Sequence, residues 1–347
     1  EPGFIFTDDL EFVYNPCFTG DMKLLTKDGY KTFEELDGSR VDVVNKDGKV
    51  SNGKVWCNGE KETIEILTWN GERIKCTPDH VFMLNDGTEC KAKDTVGKRL
   101  MAYKGKLNNN KDMYVKLGFI QGDGCTGRLK SKEHSGLEVN IGERDSEIAE
   151  LFGISYDNEK RIYYTKGYNE TLIKLGFSSE KLPERTFPST YSDWTIEEKK
   201  SFLRGCYSAN GSVITNYRVA YKTTCKTFVE QLQKALSELG IESRTTTNKS
   251  KKVLFSNGEY QCRESYDINI NKLPSIAKFY ELIGFVQQYK NESLETLITK
   301  KSPLVRSVKS NGLQKVYDFS EPLVHWGVVE GVVVHNCVEV GMLPVTA

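Results

Sequence analysis

Short apolar runs separated by Asp-Gly and Asn-Gly dipeptides fill residues 17 to about 105. Seven of these dipeptides occur there: Asp28-Gly29, Asp37-Gly38, Asp47-Gly48, Asn52-Gly53, Asn58-Gly59, Asn70-Gly71 and Asp86-Gly87. Both residues tolerate positive φ, so each pair predicts a hairpin turn. Runs such as Thr63-Ile64-Glu65-Ile66-Leu67 and Val81-Phe82-Met83-Leu84 read as the strands between them. After the polar stretch Asn108-Asn109-Asn110-Lys111 the period becomes helical. It is clearest in Phe228, Val229, Leu232, Ala235, Leu236 and Leu239, with Gly240 where a helix C-cap belongs. Near residue 300 the β pattern returns and ends in Val328-Val329-Glu330-Gly331-Val332-Val333-Val334, a buried-strand type of run. The pattern predicts an α/β middle inserted into an all-β domain whose first and last parts meet in space.

Length and composition narrow the class. A chain of 347 residues and 39.4 kDa should hold two or three domains. At 38% hydrophobic and 28% charged it reads as globular, with no run near the roughly 20 apolar residues that span a bilayer. No basic region followed by an apolar core opens it, so no secretory signal is expected. Nine cysteines without a C-x-x-C pair argue against a zinc ribbon or disulfide framework and point to a reducing cytoplasm. Net charge is zero, yet residues 199 to 252 carry eleven basic and three acidic side chains, a local excess of +8. That excess fits a polyanion partner or a merely solvated basic face.

Candidate chemistry sits at the two ends of a 320-residue segment, with 16 residues before it and 11 after. Cys17-Phe18-Thr19-Gly20-Asp21 opens it; Val334-His335-Asn336 closes it, and Cys337 follows at once. Thr77-Pro78-Asp79-His80 forms a T-x-x-H motif, and Val316-Tyr317-Asp318-Phe319 precedes His325. A lone histidine is more often a hydrogen-bonded structural residue, and a lone cysteine a small buried hydrophobe. These blocks, in this order and with the flanking cysteine, resemble the conserved blocks of inteins and of Hedgehog-type autoprocessing (Hint) domains. The resemblance implies that the Cys17 thiol attacks the Pro16 carbonyl, with His80 protonating the Cys17 nitrogen and Thr77 hydrogen-bonding nearby. Cys337 would then take the acyl group, its nucleophilicity following its thiolate fraction, with Asp318 activating or orienting the thiols. Asn336 would cyclise and release the segment with acid–base help from His335 and His325, and an S-to-N shift would join Pro16 to Cys337. No cofactor is implied. Pro16 as acyl donor, and Trp326-Gly327 where the family usually has Asn-Phe, depart from the pattern and bear on the rate.

Two further resemblances complete the expectations. Joined flanks would read Asn15-Pro16-Cys337-Val338-Glu339, which resembles the N-P-C-x-E active-site segment of ribonucleotide reductase of the cobalamin-dependent type. Leu117-Gly118-Phe119-Ile120-Gln121-Gly122-Asp123-Gly124 and Leu203-Arg204-Gly205-Cys206-Tyr207-Ser208-Ala209-Asn210-Gly211 resemble the two motifs of a LAGLIDADG homing endonuclease. That family packs its motif helices through small residues about a pseudo-two-fold axis and sets two acidic residues side by side to bind Mg²⁺. Here one is Asp123 and its counterpart is Asn210, so cleavage should be reduced or lost. Arg218 and Lys222, with Lys249, Lys251 and Lys252 in a basic loop, are the candidate phosphate contacts to double-stranded DNA. The expected architecture is multidomain. A discontinuous all-β Hint splicing domain (17–107 and 299–336) would be interrupted by an α/β LAGLIDADG domain (108–298). Extein pieces 1–16 and 337–347 would flank it, in a cytoplasmic monomer without membrane contact. Competing readings are an autoprocessing domain that cleaves without ligating, an endonuclease remnant on an inert scaffold, and a plain metal hydrolase.

Overall fold

The computed structural model describes residues 5–6, 12–13, 16–125, 136–180, 183–214, 217–255 and 258–336. The chain divides into two compact units, residues 1–105 with 301–347, and residues 106–300. No helix among the described residues is long and apolar enough to cross a membrane.

The first unit is built on an eleven-stranded sheet. Its ordered path runs Glu89–Lys91, Val81–Met83, Val332–His335, Trp326–Val329, Lys23–Thr26, Arg40–Val44, Val50–Thr68, Val305–Phe319, Phe18–Thr19 and Arg73–Cys76. Gly29–Thr32 pairs with Lys23–Thr26 off that path. Arg73–Cys76 also pairs back onto Val50–Thr68, which closes the last four strands on one another. Phe18, Phe33, Phe82 and Phe319 are fully buried in its core. Burying each such ring contributes about 1.5–3 kcal/mol.

Four of the seven Asx-Gly dipeptides, Asp28-Gly29, Asp47-Gly48, Asn70-Gly71 and Asp86-Gly87, put glycine at positive φ between paired strands. Asp37-Gly38 instead ends the short helix Phe33–Leu36, with Gly38 at φ 74°, and the remaining two do not make hairpins. Gly53 lies inside the 19-residue strand Val50–Thr68, opposite Val41. A Cβ there would lie 2.0 Å from the Ser320 carbonyl oxygen, so this glycine serves close approach and makes no turn. Gly59, at φ 75°, sits in a bulge of the same strand. The final hairpin instead turns at Glu330 (φ 49°) and Gly331 (φ 81°). Glu330 tolerates that backbone with its carboxylate accepting the Lys23 amide at 2.8 Å.

In the second unit the helices Met113–Asp123 and Ile196–Asn210 pack along their small residues. A Cβ on Gly118 would lie 2.0 Å from the Phe202 carbonyl oxygen, one on Gly205 2.0 Å from that of Val115, and one on Gly122 2.4 Å from Ala209 Cβ. Asp112 caps the first helix by accepting the Val115 amide at 3.1 Å. Thr195 and Glu198 form a capping box on the second. A four-stranded antiparallel sheet orders Gly211–Ile214, Arg218–Thr223, Ser265–Ile270 and Arg244–Asn248. Val219, Tyr221, Ile268 and Ile270 are buried on its inner face. The amphipathic helix Lys226–Glu238 follows, and Gly240 at φ 68° ends it one residue past its cap.

Candidate functional site

Sheet register gathers the two ends of segment 17–336 within the first unit. Phe18 pairs with Tyr317 on one side and Cys76 on the other, so Cys17 begins its strand level with Thr77 and Asp318. Val334 pairs with Phe82, which sets the His335-Asn336 end against His80. Cys17 is fully buried. Its amide donates to Thr77 Oγ1 at 3.1 Å, and its carbonyl accepts the Thr77 amide at 2.9 Å. Its Sγ accepts from Asn58 Nδ2 at 3.2 Å and Lys61 Nζ at 3.5 Å. Burial pushes the thiol up to about 12 and Asp318 adds to the rise, while Lys61 and Asn58 oppose it. At neutral pH the sulfur is therefore protonated.

His80 is fully buried, its ring centroid 4.1 Å from that of Phe18 and 5.4 Å from that of Phe82. Neither ring nitrogen has a partner of good hydrogen-bond geometry, although backbone of His335 and Pro16 lies near enough to favour the charged form. Burial outweighs that and, with repulsion from His335, brings the ring down to about 3, so it is neutral at pH 7. Asp318, also fully buried, accepts the Phe319 amide on Oδ1 at 2.8 Å. The buried Asn336 donates its amide to the His325 carbonyl at 3.0 Å. Burial and the nearby His325 lower the His335 pKa, against Glu89 and the Asn336 backbone. Cys337 lies outside the described residues.

His325 stands at φ 61°, a left-handed backbone that non-glycine residues rarely adopt. A residue that sequence reading missed enforces it. The carboxylate of Glu321, fully buried, accepts the amides of Leu323 (3.2 Å), Val324 (2.8 Å) and His325 (3.0 Å) and the Ser51 hydroxyl (2.7 Å). Burial would raise its pKa, but these hydrogen bonds and one from Asn45 outweigh that and lower it. The departure at Trp326-Gly327 also has a packing reason. Trp326 meets the His335 ring edge-on at 5.1 Å, and a Cβ on Gly327 would lie 2.4 Å from the Phe319 ring.

In the second unit Asp123 and Asn210 end their two helices, and both line a cavity of about 270 Å³ with Arg185, Tyr221 and Lys222. Each helix end is capped by a cation that sequence reading missed. Arg185 donates to the carbonyls of Gln121 at 2.7 Å and Gly124 at 3.1 Å. Lys290 donates to those of Ser208 at 2.9 Å and Gly211 at 3.1 Å. Burial lifts Asp123 to about 6, with Asp145 adding and Lys290 and Arg185 opposing. Among the described residues no cluster of three or more His, Cys, Asp or Glu side chains could hold a metal. One carboxylate facing an amide, with two cations near it, does not fit a paired-carboxylate Mg²⁺ site.

Arg218 and Lys222 share one face of the four-stranded sheet with Ala220; Lys222 lies level with Asp267 and Thr246, Ala220 with Asn269 and Arg244, and Arg218 pairs with Ile214. Lys249 lies in the connection Lys249-Ser250, but Lys251 and Lys252 belong to the strand Lys251–Phe255, paired with Gly258–Cys262, and not to a loop. Arg204, counted in the basic excess, is buried and donates to the carbonyls of Asn108 and Ile283.

The model of the LAGLIDADG-like domain family matches residues 197–284, inside the unit that interrupts the junction-bearing sheet. The chain carries a LAGLIDADG-like domain at residues 197–284. The chain is 24% identical over 313 residues to the ATP-dependent DNA helicase Hel308 of Methanocaldococcus jannaschii, across 82% of this chain and 26% of that protein. It is 21% identical over 397 residues to the ribonucleoside-diphosphate reductase NrdEB subunit alpha of Bacillus subtilis, across 94% of this chain and 36% of that one. It thus spans about a quarter to a third of the length of these curated relatives. A crystal structure of a DnaB intein from Synechocystis sp. aligns over 93% of this chain and 99% of that one at 8% identity, with a TM-score of 0.29.

Proposed function

We propose that the chain excises residues 17–336 from itself and joins its flanks. The observation that carries this reading is the gathering of Cys17, Thr77, His80, Asp318 and Asn336 by strand register, from segments up to 319 residues apart. Cys17 Sγ attacks the Pro16 carbonyl; the S–C bond forms as the C–N bond breaks, and the nitrogen leaves as an amine. Thr77 holds that nitrogen in place. His80 is neutral and cannot be a standing proton reservoir, so it serves as an N–H donor and relay at the scissile unit. Asp318 accepts the thiol proton. Cys337 takes the acyl group from Cys17, and Asn336 cyclises on its own carbonyl with His335 and His325 moving protons. The flank motif and the likeness to a ribonucleotide reductase subunit support a host enzyme whose active-site cysteine is Cys337. On incubation with a thiol reductant at neutral pH, intact-mass spectrometry should show the 320-residue segment and a joined 27-residue peptide growing together. Flanks released but never joined would favour cleavage without ligation, and a persistent precursor would sink the reading.

The inserted domain binds double-stranded DNA on the sheet face carrying Arg218, Lys222 and Arg244, and its cleavage activity is reduced or lost. Asn210 opposite Asp123 favours this second reading, because an amide lacks the charge a divalent ion needs. Asn210→Asp should raise Mg²⁺-dependent cleavage of the intein-less host gene at least about tenfold, a gain of roughly 1.4 kcal/mol. Efficient double-strand cleavage by the unaltered chain would overturn it.

A further inference from the structure

The strand Val50–Thr68 carries an irregularity whose effect falls on the first nucleophile. Cys57 pairs with Tyr317 and Glu60 with Lys315, so Asn58 and Gly59 together oppose Val316 alone. Gly59 takes φ 75°, and a Cβ there would meet nothing within 4 Å; the glycine serves backbone shape, not packing. On a regular strand, residues three apart point to opposite faces. The extra residue cancels that alternation, so Asn58 and Lys61 reach the same atom, Cys17 Sγ, at 3.2 and 3.5 Å. Bulges that re-aim side chains recur next to active sites.

We propose that Asn58 and Lys61 are catalytic residues of the first acyl shift, forming a bulge-built cradle that holds the Cys17 thiolate. This rests on the splicing reading. Asp318 takes the proton from Sγ, and two N–H donors then receive the developing anion, which attacks the Pro16 carbonyl. The S–C bond forms and the C–N bond breaks; one proton passes in net from sulfur to nitrogen, and no co-reactant is needed. Around Cys17 the charged or titratable groups are Asp318 and Lys61 from the two long strands, and Cys76 and His80 from either side of Thr77. Lys61 offsets the burial and the Asp318 charge that disfavour the anion.

The test uses the full chain with Asn336→Ala and Cys337→Ala, which leaves thiol-induced cleavage between Pro16 and Cys17 as the reaction measured. Lys61→Met should slow that cleavage at pH 7 at least about tenfold and move its pH profile up by about one unit, as expected when an opposing charge is lost. Lys61→Arg should restore most of the rate, and Asn58→Ala should slow it severalfold. An unchanged rate and profile in Lys61→Met overturns the cradle. So does a loss with an unshifted profile that Lys61→Arg fails to rescue. If the parent double variant itself never cleaves, it is the splicing reading that fails.

Discussion

Asn336→Ala should abolish release of the segment 17–336 while leaving thioester formation at Cys17 intact. In the proposed mechanism the cyclising group is the side-chain amide of this one residue, and alanine has no nucleophile to replace it, so the expected effect is all or none. The backbone position should survive, because the hydrogen bond its backbone N–H donates to the His325 carbonyl does not involve the side chain. Intact-mass spectrometry should therefore find only the precursor mass, which the isomeric thioester and branched species share, and added thiol should still free the N-terminal flank. Joined flanks from Asn336→Ala would remove the residue from the mechanism. If thiol-induced cleavage is lost as well, the side chain organises the site beyond its own step.

The candidate reacting residues could be named from the sequence because the proposed chemistry fixes their types and the two ends fix their order. The all-β unit was legible from its Asx-Gly turns, and the helix pair from Gly118, Gly122, Gly205 and Ala209. What escaped was set by long-range contacts. Asn52-Gly53 reads as a hairpin locally, but the Ser320 carbonyl, 267 positions on, fills the space a side chain would need. Glu321 reads as a surface acid, yet its partners Asn45 and Ser51 lie 276 and 270 positions away. Arg185 and Lys290 carry no motif; they matter because they close the carbonyl ends of the two paired helices. Lys251 and Lys252 read as loop because neither their composition nor their charge marks the partner strand that pairs with them.

His80→Ala, in the Asn336→Ala background, should slow thiol-induced cleavage at Pro16 by about 10²–10⁴, the range of a positioned proton-transfer group. The ring is packed against Phe18 and Phe82, so part of any loss could come from a cavity. His80→Gln, which keeps volume and an N–H donor, separates the two: it should recover stability but little of the rate. Cleavage within about threefold of the parent in His80→Ala would end the assignment. Acid gives an independent reading of the same burial. The folded ring resists protonation until about pH 3, whereas the unfolded one takes a proton below about 6.5. Above 6.5 both states are neutral and the group contributes no pH dependence. Below it the unfolded state binds the extra proton, so stability falls as pH drops, by at most roughly 4–5 kcal/mol once pH 3 is reached. Urea unfolding at pH 7 and pH 4 should show a drop that is smaller in His80→Gln. An equal drop in both proteins would mean that the ring takes its proton in the folded state, and a charged His80 would then be available as a direct acid to the Cys17 nitrogen.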